Sequence, residues 1–195
     1  MSTQRHIVVQ DYSPEWPLIF QELKSVYTAA FGSMIVDIQH VGSTSVPGLA
    51  AKPVIDIDII IASESSIGEI IRRLEPLGYQ HLGELGIAER HAFKRSSPQA
   101  PADGSQRVWP AHNLYVCLAG SISLRNHLAL RDYLRSHPDM VKEYGDLKKK
   151  LAAQYPDDID SYIKYKTAFI TDILEQVGFD KSVLDEIRRA NGLKE

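Results

Sequence analysis

The sequence predicts an α/β fold of the α+β kind: a small mixed sheet flanked by helices, followed by a C-terminal helical region. Three observations carry that reading. Residues 54–61, Val-Ile-Asp-Ile-Asp-Ile-Ile-Ile, form a β-branched run suited to a central strand buried on both faces. Further strand-like runs, at 34–41, 79–84, 91–94 and 112–118, all lie before residue 119. Beyond Ser121 the apolar residues recur at helical spacing. The chain is therefore read as one domain over 1–195, with a mixed part at 1–118, a helical part at 119–195 and a cleft expected between them.

In chain order, Ile7-Val8-Val9 reads as a short strand. Ser13 is placed to cap a helix whose first residue is Pro14, since proline's missing N–H is not needed there. Ile19, Leu23, Val26 and Ala30 repeat along that helix until Gly32 stops it. The run at 34–41 leads into His40-Val41-Gly42-Ser43-Thr44-Ser45-Val46-Pro47-Gly48, and Lys52-Pro53 opens the central strand. A helix over 64–77 follows, with Ile67, Ile70, Ile71 and Leu74 on one side and Gly78 at its end. The runs at 79–84 and 91–94 make a hairpin around Gly86. Residues 96–110, with Pro98, Pro101, Pro110 and Gly104, have the composition of a mobile loop. Leu124, Leu128 and Leu134, then Met140, Tyr144 and Leu151, then Tyr162, Phe169 and Ile173 mark successive helices. Pro138 and Pro156 sit where two of them should start, and 183–190 adds a last short one.

Composition narrows the function classes. With 22 Lys+Arg against 25 Asp+Glu the net charge is -3, so no global basic field exists to hold nucleic acid or an anionic membrane. The apolar run at 54–61 is too short and too interrupted to span a bilayer, and the first residues do not resemble a signal peptide. The single cysteine, Cys117, cannot form an intramolecular disulfide and reads as inert strand core. A cytoplasmic location is expected.

Chemistry is expected around Gly42-Ser43 and Asp56-x-Asp58. Alternate residues of a strand share a face, so the two carboxylates project together. Two such charges on an apolar strand call for a cation between them, and Mg²⁺ suits a few carboxylate oxygens completed by phosphate and water. Gly42 lets the backbone approach a phosphate, and a turn at 43–45 would offer N–H groups to it.

Gly-Ser followed by Asp-x-Asp on the next strand resembles the nucleotidyltransferase, or polymerase-beta-like, superfamily. Longer blocks narrow this further: Asp11-Tyr12-Ser13-Pro14-Glu15-Trp16, the whole of 40–57, His127-Leu128-Ala129-Leu130-Arg131-Asp132-Tyr133-Leu134-Arg135, and Tyr155-Pro156-Asp157-Asp158. On these the chain resembles the GrpB family. The resemblance implies a nucleotidyltransferase-like fold and a nucleotide-containing ligand, since some family members resemble, or are fused to, enzymes of coenzyme A synthesis. Active members of the superfamily usually carry a third carboxylate on a later strand. The matching strand here, His112-Asn113-Leu114-Tyr115-Val116, has none.

The expected reaction is Mg²⁺-dependent transfer of a nucleotidyl group from a nucleoside triphosphate to a small-molecule acceptor. Asp56 and Asp58 are the expected metal ligands, Gly42 and Ser43 the phosphate cradle, and Lys52, Arg90 and Arg131 the counter-charges. His112 is a candidate base in place of the third acid, and Asp103, Asp132 and Glu89 are candidates to supply that acid from elsewhere. The alternatives are a non-catalytic nucleotide- or coenzyme A-binding module, or an interaction protein with a vestigial site. Plainer readings stand beside these: His40 and His112 as buried core histidines, Lys148-Lys149-Lys150 as an exposed helix surface, and the hairpin at 84–95 as a lid or merely a soluble sheet edge.

Overall fold

The isoleucine-rich run becomes an inner strand of a five-stranded sheet. The computed structural model describes residues 6–192. Its sheet runs in the order β1 (Asp37–Val41), β2 (Ile55–Ile61), β5 (His112–Leu118), β4 (Arg90–Arg95), β3 (Tyr79–Gly83). β2 and β5 are parallel and the other neighbours antiparallel, so the sheet is mixed. Ile55, Ile57, Ile59 and Ile61 are each at most 1% exposed. Burying side chains of this size contributes about 1.5–3 kcal/mol apiece, which lets the strand tolerate two carboxylates on its other face.

The chain forms two compact units from interleaved segments: residues 14–45 with 54–127, and residues 1–13 with 46–53 and 128–195. The first holds the sheet, α1 (Glu15–Phe31) and α2 (Ile67–Leu74). α1 buries Trp16, Phe20, Leu23, Tyr27 and Phe31. Ile19, Val26 and Ala30, expected on the inner face, are only partly buried because the bulkier aromatic stripe takes the core. Pro14 occupies the cap position without a side-chain cap bond, and Gly32 at φ 54° ends the helix. The segment expected as a helix at 64–77 is a tight turn at 64–66 followed by the two turns of α2.

α1 covers the sheet face that carries Ile57 and His40. Phe20 stacks on the His40 ring at 4.7 Å, and the His40 Nε2 lies 3.0 Å from Thr44 Oγ1. The proline-rich loop at 96–110 is pinned rather than loose. The Arg95 guanidinium donates to the carbonyls of Pro98, Trp109 and Pro110, and the buried Trp109 indole donates to the Pro101 carbonyl at 2.9 Å.

The second unit contains α4 (Pro138–Gln154), α5 (Ile159–Gln176), α6 (Lys181–Ala190) and the C-terminal part of α3 (Ile122–Ser136). Pro138 takes the first turn of α4 as expected, whereas α5 starts three residues beyond Pro156 and is capped by the Asp158 side chain on Ser161 N–H. Val46, Leu49, Leu134, Val141, Tyr144 and Ile173 form one core cluster, with Tyr144 stacked on Phe169. Ile7, Leu151, Ala152 and Tyr162 form another. Residues 7–9 are not a strand: among the described residues no partner strand lies beside them, Ile7 packs among helices, and one bridge pairs Gln10 with Ala51. Lys148 is also not at the surface. One turn after Tyr144, it is 2% exposed and lays its ammonium 4.5 Å from that ring's centre. No helix among the described residues is long and apolar enough to cross a membrane.

Candidate functional site

Pairing register places the carboxylates. Asp56 lies opposite Val41 on β1 and Asn113 on β5, and Asp58 lies opposite Gln39 and Tyr115. These side chains share the sheet face turned away from α1. The Asp56 end of the row is open, with Asp56 half-buried and Asn113 exposed, while Asp58 is 0% exposed.

Asn113 Nδ2 donates to Asp56 Oδ1 at 2.7 Å. The second Asp56 oxygen rests against the backbone at Gly42: a Cβ there would fall 2.1 Å from Asp56 Oδ2, and the residue has φ +67°. Only glycine meets both conditions. Ser43–Ser45 then turn as a short 3-10 segment, held by Ser45 N and Oγ donating to the Gly42 carbonyl. The Gly-Ser element is thus brought to the Asp56 carboxylate.

Asp58 is held by a residue that sequence reasoning did not single out. His127, on the first turns of α3, donates from Nδ1 to Asp58 Oδ2 at 2.7 Å. Asp58 Oδ1 is buried and has no hydrogen-bond partner among the described residues. Packing around the imidazole works against its charged form, but the charge and hydrogen bond of Asp58, with a smaller push from Asp56, outweigh it and raise His127 above the ordinary histidine value. The available clue was His127 opening the HLALRDYLR block, but its partner lies 69 residues away along the chain.

Arg90 belongs to the same face. On β4 it lies opposite Cys117, with its guanidinium 4.7 Å from the Tyr115 ring centre and its Nε buried without a hydrogen-bond partner among the described residues. Burial, and then Asp56, push the Tyr115 phenol above its usual value. Burial likewise raises the Cys117 thiol, which fits an inert core residue.

Two expected members sit in the helical unit. The Lys52 ammonium lies 5.6 Å from the Tyr162 ring centre, and Arg131 Nε donates to Asp132 Oδ1 at 2.7 Å. Asp103 accepts from Ser105 Oγ, and the Glu89 N–H donates to Glu84 Oε1. Among the described residues no group of three His, Cys, Asp or Glu side chains is arranged to hold a metal.

His112 is not part of this face. It lies opposite Ile55, so strand alternation turns it toward α1. Its Nδ1–H donates to the Pro110 carbonyl at 2.9 Å, and Nε2 accepts from Tyr79 Oη at 2.5 Å, which in turn meets Tyr27 Oη at 2.6 Å. Burial lowers its pKa from 6.5 to about 4, with a further push from the Arg95 charge, against the Pro110 bond. The expected base is therefore a neutral structural histidine.

A pH consequence follows from that burial. Between about 6.5 and about 4 the unfolded chain binds a proton at this histidine and the folded chain does not. Stability is therefore retained above that window and lost as pH falls through it, by roughly 3 kcal/mol in all. Denaturant unfolding of His112→Gln should show a shallower loss between these pH values than wild type; parallel curves would contradict the assignment.

A mixed sheet with paired aspartates on an inner strand, beside a Gly-Ser turn, defines a nucleotidyltransferase-like fold. The structure of Cid1 in complex with its short product ApU supports this at the level of fold: the TM-score is 0.55 at 9% identity, over 84% of this chain and 49% of that one. The chain belongs to the GrpB family, whose model, described as GrpB protein, matches residues 6–176. The crystal structure of the conserved protein GrpB from Enterococcus faecalis is similar at TM-score 0.73 and 31% identity, covering 92% of this chain and 98% of that one. UPF0157 protein YqkA of Bacillus subtilis is 38% identical over 86% of this chain, which spans 46% of YqkA's length. A dephospho-CoA kinase of Mycolicibacterium paratuberculosis is 28% identical over 82% of this chain and 43% of its own.

Proposed function

We propose that the Asp56–Asp58 face binds the phosphates of a nucleoside triphosphate together with Mg²⁺ and transfers the nucleotidyl group to a small-molecule acceptor. The observation that carries the proposal is Asp58 Oδ1, a buried carboxylate oxygen with no hydrogen-bond partner among the described residues, on the same face as an Asp56 carboxylate seated against Gly42. An unpaired buried anionic oxygen is costly unless a cation completes it. These donors suit Mg²⁺, which accepts two carboxylates and takes its remaining oxygens from phosphate and water. When bound, Mg²⁺ would neutralise charge developing on the phosphate oxygens.

The chain's own residues divide the remaining work. Asn113 orients Asp56 through the bond to Oδ1, and His127 fixes Asp58 through Oδ2, which leaves Oδ1 as the oxygen not engaged by a described residue. Gly42 keeps the backbone low enough for Asp56 to sit over it, and Ser43 follows as the expected phosphate contact. Arg90 contributes positive charge on the same face, held by the Tyr115 ring.

A second reading is favoured by one feature. Asn113 stands opposite Asp56 on the strand where a third carboxylate would be expected, and an amide cannot serve as a base. On this reading the face binds a nucleotide or a coenzyme A-like ligand without turnover, in keeping with the similarity to a dephospho-CoA kinase. Pyrophosphate release from each of the four nucleoside triphosphates with Mg²⁺, in the presence of small hydroxyl and phosphate acceptors, separates the two. Transfer predicts release that is lost in Asp56→Asn. Binding without release in wild type supports the module instead.

A further inference from the structure

On the opposite face of the sheet, three polar side chains meet in a row that the proposed reaction does not use. His81 on β3 and His91 on β4 are diagonal neighbours, since His81 lies opposite Phe93. His81 Nε2 and His91 Nδ1 point at each other across 3.1 Å, with ring centres 5.2 Å apart. The other nitrogen of His91, Nε2, lies 2.6 Å from Glu64 Oε1 in the turn after β2. His91 is 8% exposed, and the Phe93 ring flanks His81 at 5.0 Å.

We propose that His81 and His91 form a binding site for a divalent transition-metal ion of the zinc type, with Glu64 as the carboxylate that orients His91. A carboxylate accepts only, so His91 carries its proton on Nε2 and presents a bare lone pair at Nδ1. His81 donates its Nε2 proton to that lone pair. Movement of this proton to His81 Nδ1, by exchange with water, leaves two lone pairs facing one another. Two Zn–N bonds of about 2.0–2.1 Å at a tetrahedral angle span about 3.3 Å, close to the separation already present. Histidine ligands are commonly backed in this way by a carboxylate on the remaining ring nitrogen. Imidazole nitrogens select zinc-type ions over Mg²⁺ or Ca²⁺, which prefer oxygen. The chain supplies two ligands here, and water completes the shell.

The test is Zn²⁺ titration of the full chain against a chromophoric competitor, in wild type, His81→Ala, Glu64→Gln and Asp56→Asn. One Zn²⁺ per chain is expected, with affinity reduced about tenfold or more in His81→Ala and Glu64→Gln and unchanged in Asp56→Asn. Histidine proton NMR of wild type should move the His81 and His91 ring signals with Zn²⁺, a readout that stands even where a variant folds poorly. The proposal is overturned by absence of Zn²⁺ binding, by unchanged affinity in His81→Ala, or by ring signals that stay in place. Loss of Zn²⁺ in Asp56→Asn alone would put the ion on the aspartate face and equally overturn it, while leaving the nucleotide reading intact.

Discussion

Replacing His127 with leucine is expected to destabilise the protein by about 3–5 kcal/mol, the largest single effect at the site. Asp58 is 0% exposed, one of its oxygens has no hydrogen-bond partner among the described residues, and the other is held by the His127 ring at 2.7 Å. Removing the imidazole strands an anion inside the sheet unit, and stranding is more costly than never having placed the charge there. The double variant Asp58→Asn with His127→Leu should therefore recover part of the loss, making the two substitutions strongly non-additive. Denaturant unfolding of the two single variants and the double variant measures this. A loss below about 1 kcal/mol in His127→Leu, or simple additivity, would show that the pair does not act as a unit.

Gly42→Ala should rank next, with an expected loss of more than about 2 kcal/mol. Left-handed backbone alone costs an L-residue roughly 1–2 kcal/mol. At Gly42, with φ +67°, the new methyl would also meet Asp56 Oδ2 at 2.1 Å, which forces the carboxylate or the strand to move. Gly86, with φ +80° and nothing within 4 Å of a built Cβ, isolates the backbone component. Gly86→Ala should show only that smaller penalty. Equal losses in the two variants would mean that the close approach of Asp56 to Gly42 is not maintained in solution.

Much of this was readable from the chain because strand and helix periods are local. The 54–61 run announced both a buried strand and two aspartates on one face, and the hairpin and helix order followed from turn residues and spacing. What stayed hidden depends on partners distant in sequence. The side of the sheet on which His112 falls is set by the parallel register of β5 on β2, which leaves no local trace. His127 looked like one polar residue among several on a helix until α3 laid it on Asp58. α1 differs for another reason: it has two adjacent apolar stripes, and the one with Trp16, Phe20 and Tyr27 is the buried one, not the one with Ile19 and Val26. The run Lys148-Lys149-Lys150 reads as solvated on charge alone, yet Lys148 lies one turn from Tyr144 among the buried residues of α4.

On the proposed function, Asp56 and Asp58 hold a phosphate ligand through Mg²⁺. Thermal unfolding of wild type and Asp56→Asn, each with ATP, CTP, GTP, UTP or coenzyme A and with or without Mg²⁺, tests it most directly. A ligand at about a hundred times its dissociation constant adds roughly 2.7 kcal/mol, a shift of several degrees for a chain of this size. Such a shift is expected with at least one of these ligands, dependent on Mg²⁺ and absent in Asp56→Asn. A folded wild-type protein that shifts with none of them, or a shift that persists undiminished in Asp56→Asn, would contradict it.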